Sequence, residues 1–376
     1  MSNILRVFCT IYKTRYVIKK PKEKEILLID KLSEELLLNS IFKKKYEVLH
    51  SKKYQINLFI LLKAFLKFNF FSFHENYTYE YIRQVKPKVV ISFKDNDIFF
   101  YRLKNIFKNI KFISVQNGFR HKNEIFFNSL SVEKKKKTKL AVDYYFLFGR
   151  NNILKLKKFI KFTPKLLGSF RNNKVSLSNK RSKKNSVLFV SNFRLKKVNF
   201  DKRGYNVEKK ILSHVKDFCN KYKLYLNIAG STITDQSLEK DYLTSDLKKD
   251  NINYILKVKT TSAAYDLIDK YDLIIFIDST LGYESIARKK KIASFSCRKK
   301  DNSLIRPFGF PNTKKFNDFF YSHSDTKKEV FRVLKNAFFI SNKKWLKYYF
   351  PELKDLISYN KNNELFYKTI KNILKS

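Results

Sequence analysis

Short apolar runs alternate with longer segments of helical period along this chain, the rhythm of an α/β protein. In the first half, apolar runs at 25–29, 46–49, 89–93, 111–115 and 144–148 predict strands. Helical spacing between them predicts helices over 33–42, 56–68, 77–84 and 99–107. The rhythm then restarts, with strands at 186–190, 223–228, 254–258, 273–277 and 292–295. Helices are expected at 207–221, at 263–271 and from about 283, and two more at 327–338 and 359–374 can pack back onto the body. Between the halves, residues 171–185 are rich in Asn, Ser, Lys and Arg and read as a linker. The expected division is therefore 1–170, a linker at 171–185, a second domain at 186–340 and a helical segment at 341–376. Two such domains place a cleft between two sets of strand ends, where ligands of open α/β sheets bind.

The strand ends supply the candidate site residues. After the strand at 273–277 come Asp278, Ser279, Thr280, Leu281 and Gly282, then a helical stretch that carries Glu284. Unpaired N–H groups and the positive helix end meet there, as a diphosphate requires, and Glu284 could accept from sugar hydroxyls; the plain alternative is an N-cap. After 89–93 come Asp95 and Asp97, either of which could be a general base for a hydroxyl or a helix cap. After 111–115 come Gln116, Asn117, Gly118 and Arg120: the Asn-Gly pair permits a turn with positive φ, and Arg120 could reach a phosphate or a carboxylate. Ser191 and Arg194 follow 186–190, and Gly230 follows the next strand; each can serve a phosphate or base pocket, or simply a turn. His121 reads as a surface or packing residue.

Composition narrows the field. The 376 residues carry a formal charge of +47, with 44% hydrophobic residues including 23 Tyr and 37 Phe. That is a packed globular chain whose field favours polyanions, an anionic bilayer face or phosphate-bearing substrates. Lys, Asn, Ile and Phe are over-used together while Gly, Ala, Pro and Trp are scarce, so A+T-rich coding bias accounts for much of the charge. Three scattered Cys and five scattered His suggest neither disulfides nor a metal centre. The N-terminus has no apolar core of signal-peptide type before Lys13, and the apolar segment 56–73 is broken by Lys63 and Lys67. It reads as an amphipathic helix, packed in the core or lying on a membrane surface. The expected location is the cytoplasm, with peripheral attachment to the inner face of the membrane as its extension.

The segments ILLIDKLSEELL (26–37), VVISFKDNDIFFYRL (89–103), FISVQNGFR (112–120), VDYYFLFGR (142–150), KLLGSFRNN (165–173) and DSTLGYES (278–285) occur in that order. Together they resemble bacterial surface carbohydrate (surface polysaccharide) biosynthesis proteins, which look like glycosyltransferases of the GT-B type. The resemblance implies two Rossmann-like domains with the active site between them and the nucleotide-sugar donor on the second. Ser279, Thr280 and Gly282 would serve its phosphates and Glu284 its ribose. It also implies no metal and no cofactor, helix dipoles and basic residues holding the departing diphosphate. Asp95-Asn96-Asp97 has the spacing of an Asp-x-Asp metal box but reads as a loop of the acceptor domain.

The expected activity is transfer of a sugar from a nucleotide donor to a glycan or lipid-linked acceptor, with Asp95 or Asp97 as base and Arg120 or Arg194 on the leaving phosphate. Replacing Glu284 by Ala is expected to weaken donor binding and leave the fold intact. Rival readings are a nucleotide-sugar epimerase or polyol-phosphate transferase on the same fold, a scaffold without chemistry, and a basic polyanion-binding protein. No nucleic-acid-reading motif supports the last.

Overall fold

The computed structural model describes residues 15–37, 41–42, 44–50, 55–66, 73–121, 124–178, 183, 185–193, 206–245, 247, 252–258, 260–298, 307–316 and 318–376. A short parallel pair joins β1 (Arg15–Val17) to β4 (Gln55–Asn57). The first large sheet is built from β2 (Ile26–Ile29), β3 (Tyr46–Leu49), β5 (Val89–Ser92), β6 (Lys111–Val115), β7 (Ala141–Leu147) and β8 (Lys161–Leu166). Its strand order is β3-β2-β5-β6-β7-β8, parallel throughout. The crossovers carry α1 (Lys31–Leu37), α2 (Leu58–Leu66), α3 (Phe73–Val85), α4 (Ile98–Ile106), α5 (Ile125–Lys135) and α6 (Ile153–Lys157). Because helices cover both faces, central strands such as Val89–Ser92 are buried at every position, and their sequences are unbroken apolar runs instead of alternating ones.

The second sheet repeats this plan with β9 (Ser186–Val190), β10 (Tyr225–Ala229), β11 (Ile252–Ile255), β12 (Leu273–Phe276), β13 (Lys291–Phe295) and β14 (Tyr321–Ser322). The order is β11-β10-β9-β12-β13-β14, again all parallel. Its helices are α7 (Asn206–Lys221), α8 (Gln236–Thr244), α9 (Thr261–Asp269), α10 (Thr280–Ala287) and α11 (Lys327–Phe339). After short helical turns over 342–353, the last helix, α12 (Glu364–Lys375), returns to the first half. There Phe366, Ile370 and Ile373 pack with Ile26, Phe93 and Val115. The expectation of helices packing back is met, and the reason is the amphipathic spacing 366, 370, 373.

With so few glycines, the chain ends helices on lysine. Lys86, Lys137, Lys223 and Lys289 follow α3, α5, α7 and α10 with φ between 51° and 62°, the left-handed conformation that usually falls to Gly. Two glycines sit where backbone crowds backbone. At Gly168 (φ 80°) a Cβ would sit 2.0 Å from the carbonyl oxygen of Ser358, and at Gly149 one would sit 2.3 Å from that of Asp355. These are the points where the C-terminal segment lies against the first sheet, joined by Asn151 N–H to Asp355 O (3.0 Å) and Ser358 N–H to Phe148 O (2.8 Å).

The polar stretch expected as a linker is exposed at most of its described positions, but two of its asparagines are internal. Asn172 and Asn173 are fully buried. Arg288, at the end of α10, donates to Asn172 Oδ1 (2.9 Å), Val175 O (3.1 Å) and Ser176 O (2.7 Å), and pairs with Asp269. Its polarity therefore satisfies a buried guanidinium. Glu284 makes a second tie between the halves: Ser169, just past β8, donates its hydroxyl to Glu284 Oε1. Burial pushes the Glu284 carboxyl above its usual range, with Ser169 and Tyr265 pulling the other way through hydrogen bonds. This burial gives the Glu284→Ala change, expected to leave the fold intact, a cost in stability. The change strands two polar partners and should cost about 1–3 kcal/mol in urea unfolding. The same change in a Ser169→Ala background should cost measurably less, because the pair is coupled. Equal costs in both backgrounds would show that the tie contributes nothing.

Candidate functional site

In the second sheet, β10 and β11 build to one side of β9, while β12 and β13 build to the other. The β9 and β12 ends thus flank a topological switch point, the crevice where open α/β sheets bind ligands. Ser191 and Asp278 sit there, and both are consumed by structure. Ser191 donates its hydroxyl to Glu239 Oε1 (2.7 Å), and Glu239, fully buried, also accepts from the N–H groups of Ser231 (2.8 Å) and Thr232 (3.0 Å). Asp278 accepts from Asn192 Nδ2 (2.7 Å) and lies 3.3 Å from Arg298 Nε. Arg298 reaches Glu208 as well (3.3 Å), and Glu208 accepts from the Asn192 N–H (2.8 Å). Burial raises the Glu208 carboxyl pKa, and Arg298 opposes the rise.

These anchors leave the start of α10 as the open donor set. The helix begins at Thr280, three residues earlier than expected, so Leu281 and Gly282 belong to its first turn and not to a loop. Ser279 occupies the N-cap position with extended backbone, and its side chain makes no capping bond. Helix geometry leaves the first N–H groups, including Thr280, Leu281 and Gly282, without intrahelical partners, and no acidic side chain sits in that turn to neutralise the positive end. Ser279, Thr280 and Leu281 are partly exposed. Gly282 has a packing reason of its own, since a Cβ there would lie 2.2 Å from the Phe276 ring. Gly230 is likewise closed off, by the Tyr254 hydroxyl at 2.6 Å. Arg171 and Lys257, which the sequence reading passed over, are both exposed and close enough to act on each other electrostatically. Arg171 also acts on Glu284. Arg194 lies outside the described residues.

The first half meets α10 through the loop after β6. Phe119 stacks on Tyr283 with ring centroids 3.7 Å apart and planes 4° from parallel. Next to it, Gln116 donates to Gly118 O (2.9 Å) and accepts from the Phe148 N–H (2.8 Å), which shapes the turn. Gly118 does not take the positive φ that its Asn-Gly pair suggested, and a Cβ there would meet nothing within 4 Å. Of the two partners expected for Arg120, a phosphate or a carboxylate, the structure supplies carboxylates, and Arg120 is a buried strut. It pairs with Asp95 (2.7 Å) and Glu124 (2.7 Å); burial alone would lower its pKa, and the two carboxylates more than reverse that.

Both carboxylates expected as bases are occupied. Asp95 is buried and accepts from Arg120, the Asn117 N–H (3.1 Å) and the Tyr145 hydroxyl (2.9 Å). Asp97 caps α4 by accepting from the Phe99 N–H (3.1 Å), and burial raises its pKa. Their oxygens serve separate partners, so the Asp-x-Asp spacing forms no paired ligand. The carboxylate that stands out is Asp30, at the end of β2. The β2 and β5 ends flank the first sheet's own switch point, since β3 builds to one side and β6 to the other. Asp30 is 4% exposed and takes φ 75°, rare for a residue with a side chain. Its Oδ1 accepts from the Ser33 N–H (3.0 Å), while Oδ2 is buried without a hydrogen-bond partner among the described residues. Burial raises its pKa against the pull of Ser33 and Lys94. A chain of contacts links it to Glu284. Ser33 Oγ accepts from the Phe93 N–H (3.1 Å), Phe93 packs edge-on to Phe170 (4.8 Å), and Phe170 adjoins Ser169. A hollow of about 460 Å³ lined by Leu177, Ala287, Phe350 and Ile357 lies by the other end of α10 and holds none of these residues.

A family model described as "putative O-antigen biosynthesis protein" matches residues 112–374, well over half of the chain. No curated protein sequence matches it significantly. Among solved structures, Staphylococcus aureus MnaA with UDP is similar at 13% identity and TM-score 0.54, over 94% of this chain and 97% of that one. The UDP-GlcNAc 2-epimerase of Methanocaldococcus jannaschii, in complex with UDP-GlcNAc and UDP, aligns at 13% identity and TM-score 0.50, over 96% and 99%. S. aureus TarM in complex with UDP gives 12% identity and TM-score 0.42, over 77% and 55%. The two-sheet architecture is that of GT-B proteins, as the sequence resemblance implied. With the family model covering both the loop after β6 and the whole of the second half, the chain belongs to the O-antigen biosynthesis protein family.

Proposed function

We propose that the chain is a glycosyltransferase that takes a sugar from a nucleotide diphosphate donor and adds it to a glycan or lipid-linked acceptor during O-antigen assembly. The observation that carries this reading is the start of α10: an uncapped helix N-terminus at a switch point, beside the cleft between two Rossmann-like sheets. Its N–H groups and the Ser279 and Thr280 hydroxyls match the donors a diphosphate needs, and none of them has a partner among the described residues. Arg171 and Lys257 add positive charge on the same side. In the reaction the acceptor oxygen bonds to the anomeric carbon while the bond from that carbon to the diphosphate oxygen breaks. The electron pair leaves with the diphosphate, where the helix end and the cations stabilise it. The acceptor proton passes to Asp30, whose raised pKa suits a base that must hold a proton at neutral pH better than an ordinary carboxylate. Attachment to the cytoplasmic face of the inner membrane would bring the enzyme to lipid-linked acceptors.

A second reading, epimerisation of the nucleotide sugar, draws on the near full-length likeness to the methanogen 2-epimerase. The two differ in one requirement. Transfer needs an acceptor, whereas an epimerase converts the nucleotide sugar alone. Purified protein incubated with UDP-, GDP- and CDP-sugars should release nucleoside diphosphate only when a glycan or lipid-linked acceptor is supplied. A new isomer of the nucleotide sugar without acceptor would replace the transferase reading with the epimerase one.

Asp30→Asn keeps the oxygen that accepts from Ser33 and removes the base. Turnover should fall by about 100-fold or more with nucleotide affinity retained. Its stability should move the other way. A carboxyl whose folded pKa is raised stabilises the fold fully below its unfolded pKa, and that contribution is lost as pH rises through the folded value. The Asn variant should therefore melt higher than the wild type at pH 7, and the gap should close below the usual carboxylate range. A variant with unchanged turnover would remove Asp30 from the mechanism.

A further inference from the structure

Helix α2 is apolar on both sides. Its inner face places Ile60 and Ala64 in buried positions, with Ile60 packed in the core beside Tyr81 and Ile82. Its outer stripe is Leu58, Leu62, Phe65 and Leu66, at the i, i+4, i+7, i+8 spacing of a single helix face. Leu62, Phe65 and Leu66 are 61%, 60% and 76% exposed. A helix on the surface of a globular protein ordinarily turns polar residues outward; this one has a single charged residue, Lys63. Its ammonium lies over the Phe59 ring (4.6 Å) and donates to Gln84 Oε1 (3.3 Å).

The segment at β1 lies beside this stripe. Asn57 Nδ2, at the end of β4 and directly before α2, donates to Lys19 O (2.8 Å), and Lys20 Nζ is 6.0 Å from the centre of the Phe59 ring. Tyr16 and Ile18 are exposed as well, Ile18 at 78%. Residues 15–22 carry Arg15, Lys19, Lys20 and Lys22 and no carboxylate, and residues 55–66 carry none either. The nearest acid along the chain, Glu23, is paired with Lys86 (2.7 Å). Exposed large apolar side chains on segments that carry cations and no carboxylate match the interface of a bilayer with anionic headgroups, where the apolar stripe enters the acyl boundary and the lysines meet phosphate. No described helix is long and apolar enough to cross a membrane, so contact through this face would be peripheral.

We infer that the outer face of α2, together with the basic β1 segment, docks the protein on an anionic phospholipid bilayer. The docking itself is independent of the donor site; only its purpose, presenting a lipid-linked acceptor to the cleft, rests on the transferase reading.

The test uses the full chain and two kinds of vesicle, phosphatidylcholine alone and phosphatidylcholine containing phosphatidylglycerol, in a co-sedimentation assay without nucleotide. Leu62→Ser with Phe65→Ser leaves the charge unchanged and should weaken binding to the anionic vesicles at least about tenfold. Lys19→Glu with Lys20→Glu should weaken it as strongly. Lys134→Glu with Lys135→Glu, an equal change of charge at exposed positions on α5, should do much less. Leu66→Trp adds a direct reporter, since Trp345 is buried and is the chain's single Trp. Its emission should shift to the blue when anionic vesicles are added. Equal losses for the two charge variants, or no loss for the Ser variant, would reduce the effect to the overall charge and overturn the proposal. A dimer in light scattering that the Ser variant dissolves, with vesicle binding unchanged, would overturn it in favour of a second copy of the chain. Nucleotide binding by the same variants, measured in parallel, separates this result from the fate of the donor site.

Discussion

Everything in the second half depends on how the strand-end loops are held without using the start of α10. Three buried carboxylates, Glu208, Glu239 and Asp278, take the N–H groups of Asn192, Ser231 and Thr232, the Asn192 amide and the Arg298 guanidinium. Left unpaired, such groups would each cost several kcal/mol of desolvation; paired, they make rigid walls. The negative charge they bring would repel a diphosphate, and two things offset it. Arg298 balances part of it within the network, and burial raises the Glu208 pKa, which favours its neutral form. The positive helix end is left outside this network, and exposed Arg171 acts electrostatically on both Lys257 and Glu284.

The same division of labour runs through the whole basic composition. Arg120, Arg288 and Arg298 are buried, and each is forked onto carboxylates: Asp95 and Glu124, Asp269, and Glu208 with Asp278. Most described lysines lie at the surface, and several end helices in a conformation usually left to Gly. Arginine's planar fork tolerates burial against acids, whereas the compact ammonium keeps its water. The large net charge is thus chiefly a property of lysine on the outside, and arginine inside holds the loops that shape the cleft.

Much of the architecture was legible because parallel strands covered on both faces read as continuous apolar runs; β3, β6 and β9 fall where their sequences placed them. Elements missed share a cause. The edge strand β8, KFTPKL, contains Pro164 and exposes alternate positions, and β1 is three residues long. Helix α5 was not among the expected helices. At the site, the DSTLGYE stretch announced a helix start, yet the reach of Glu284 to Ser169, 115 residues away in sequence, left no local trace. Nor did the pairing of Arg120 with Asp95, which turned an expected ligand and an expected base into one structural unit. Asp30 was readable by the rule applied elsewhere, as a carboxylate at the end of an apolar strand. Its unpaired oxygen was not, because burial and hydrogen bonding are properties of the folded chain.

The central claim is that a nucleoside diphosphate sits on the start of α10 opposite the loop after β6. Amide hydrogen exchange, read by mass spectrometry with and without UDP, GDP or CDP, addresses it directly. The account predicts that one of these ligands slows exchange at residues 279–283 and at 116–121 together, since both border the same cleft. Slowed exchange confined to other regions, or none with any of the three, would contradict it.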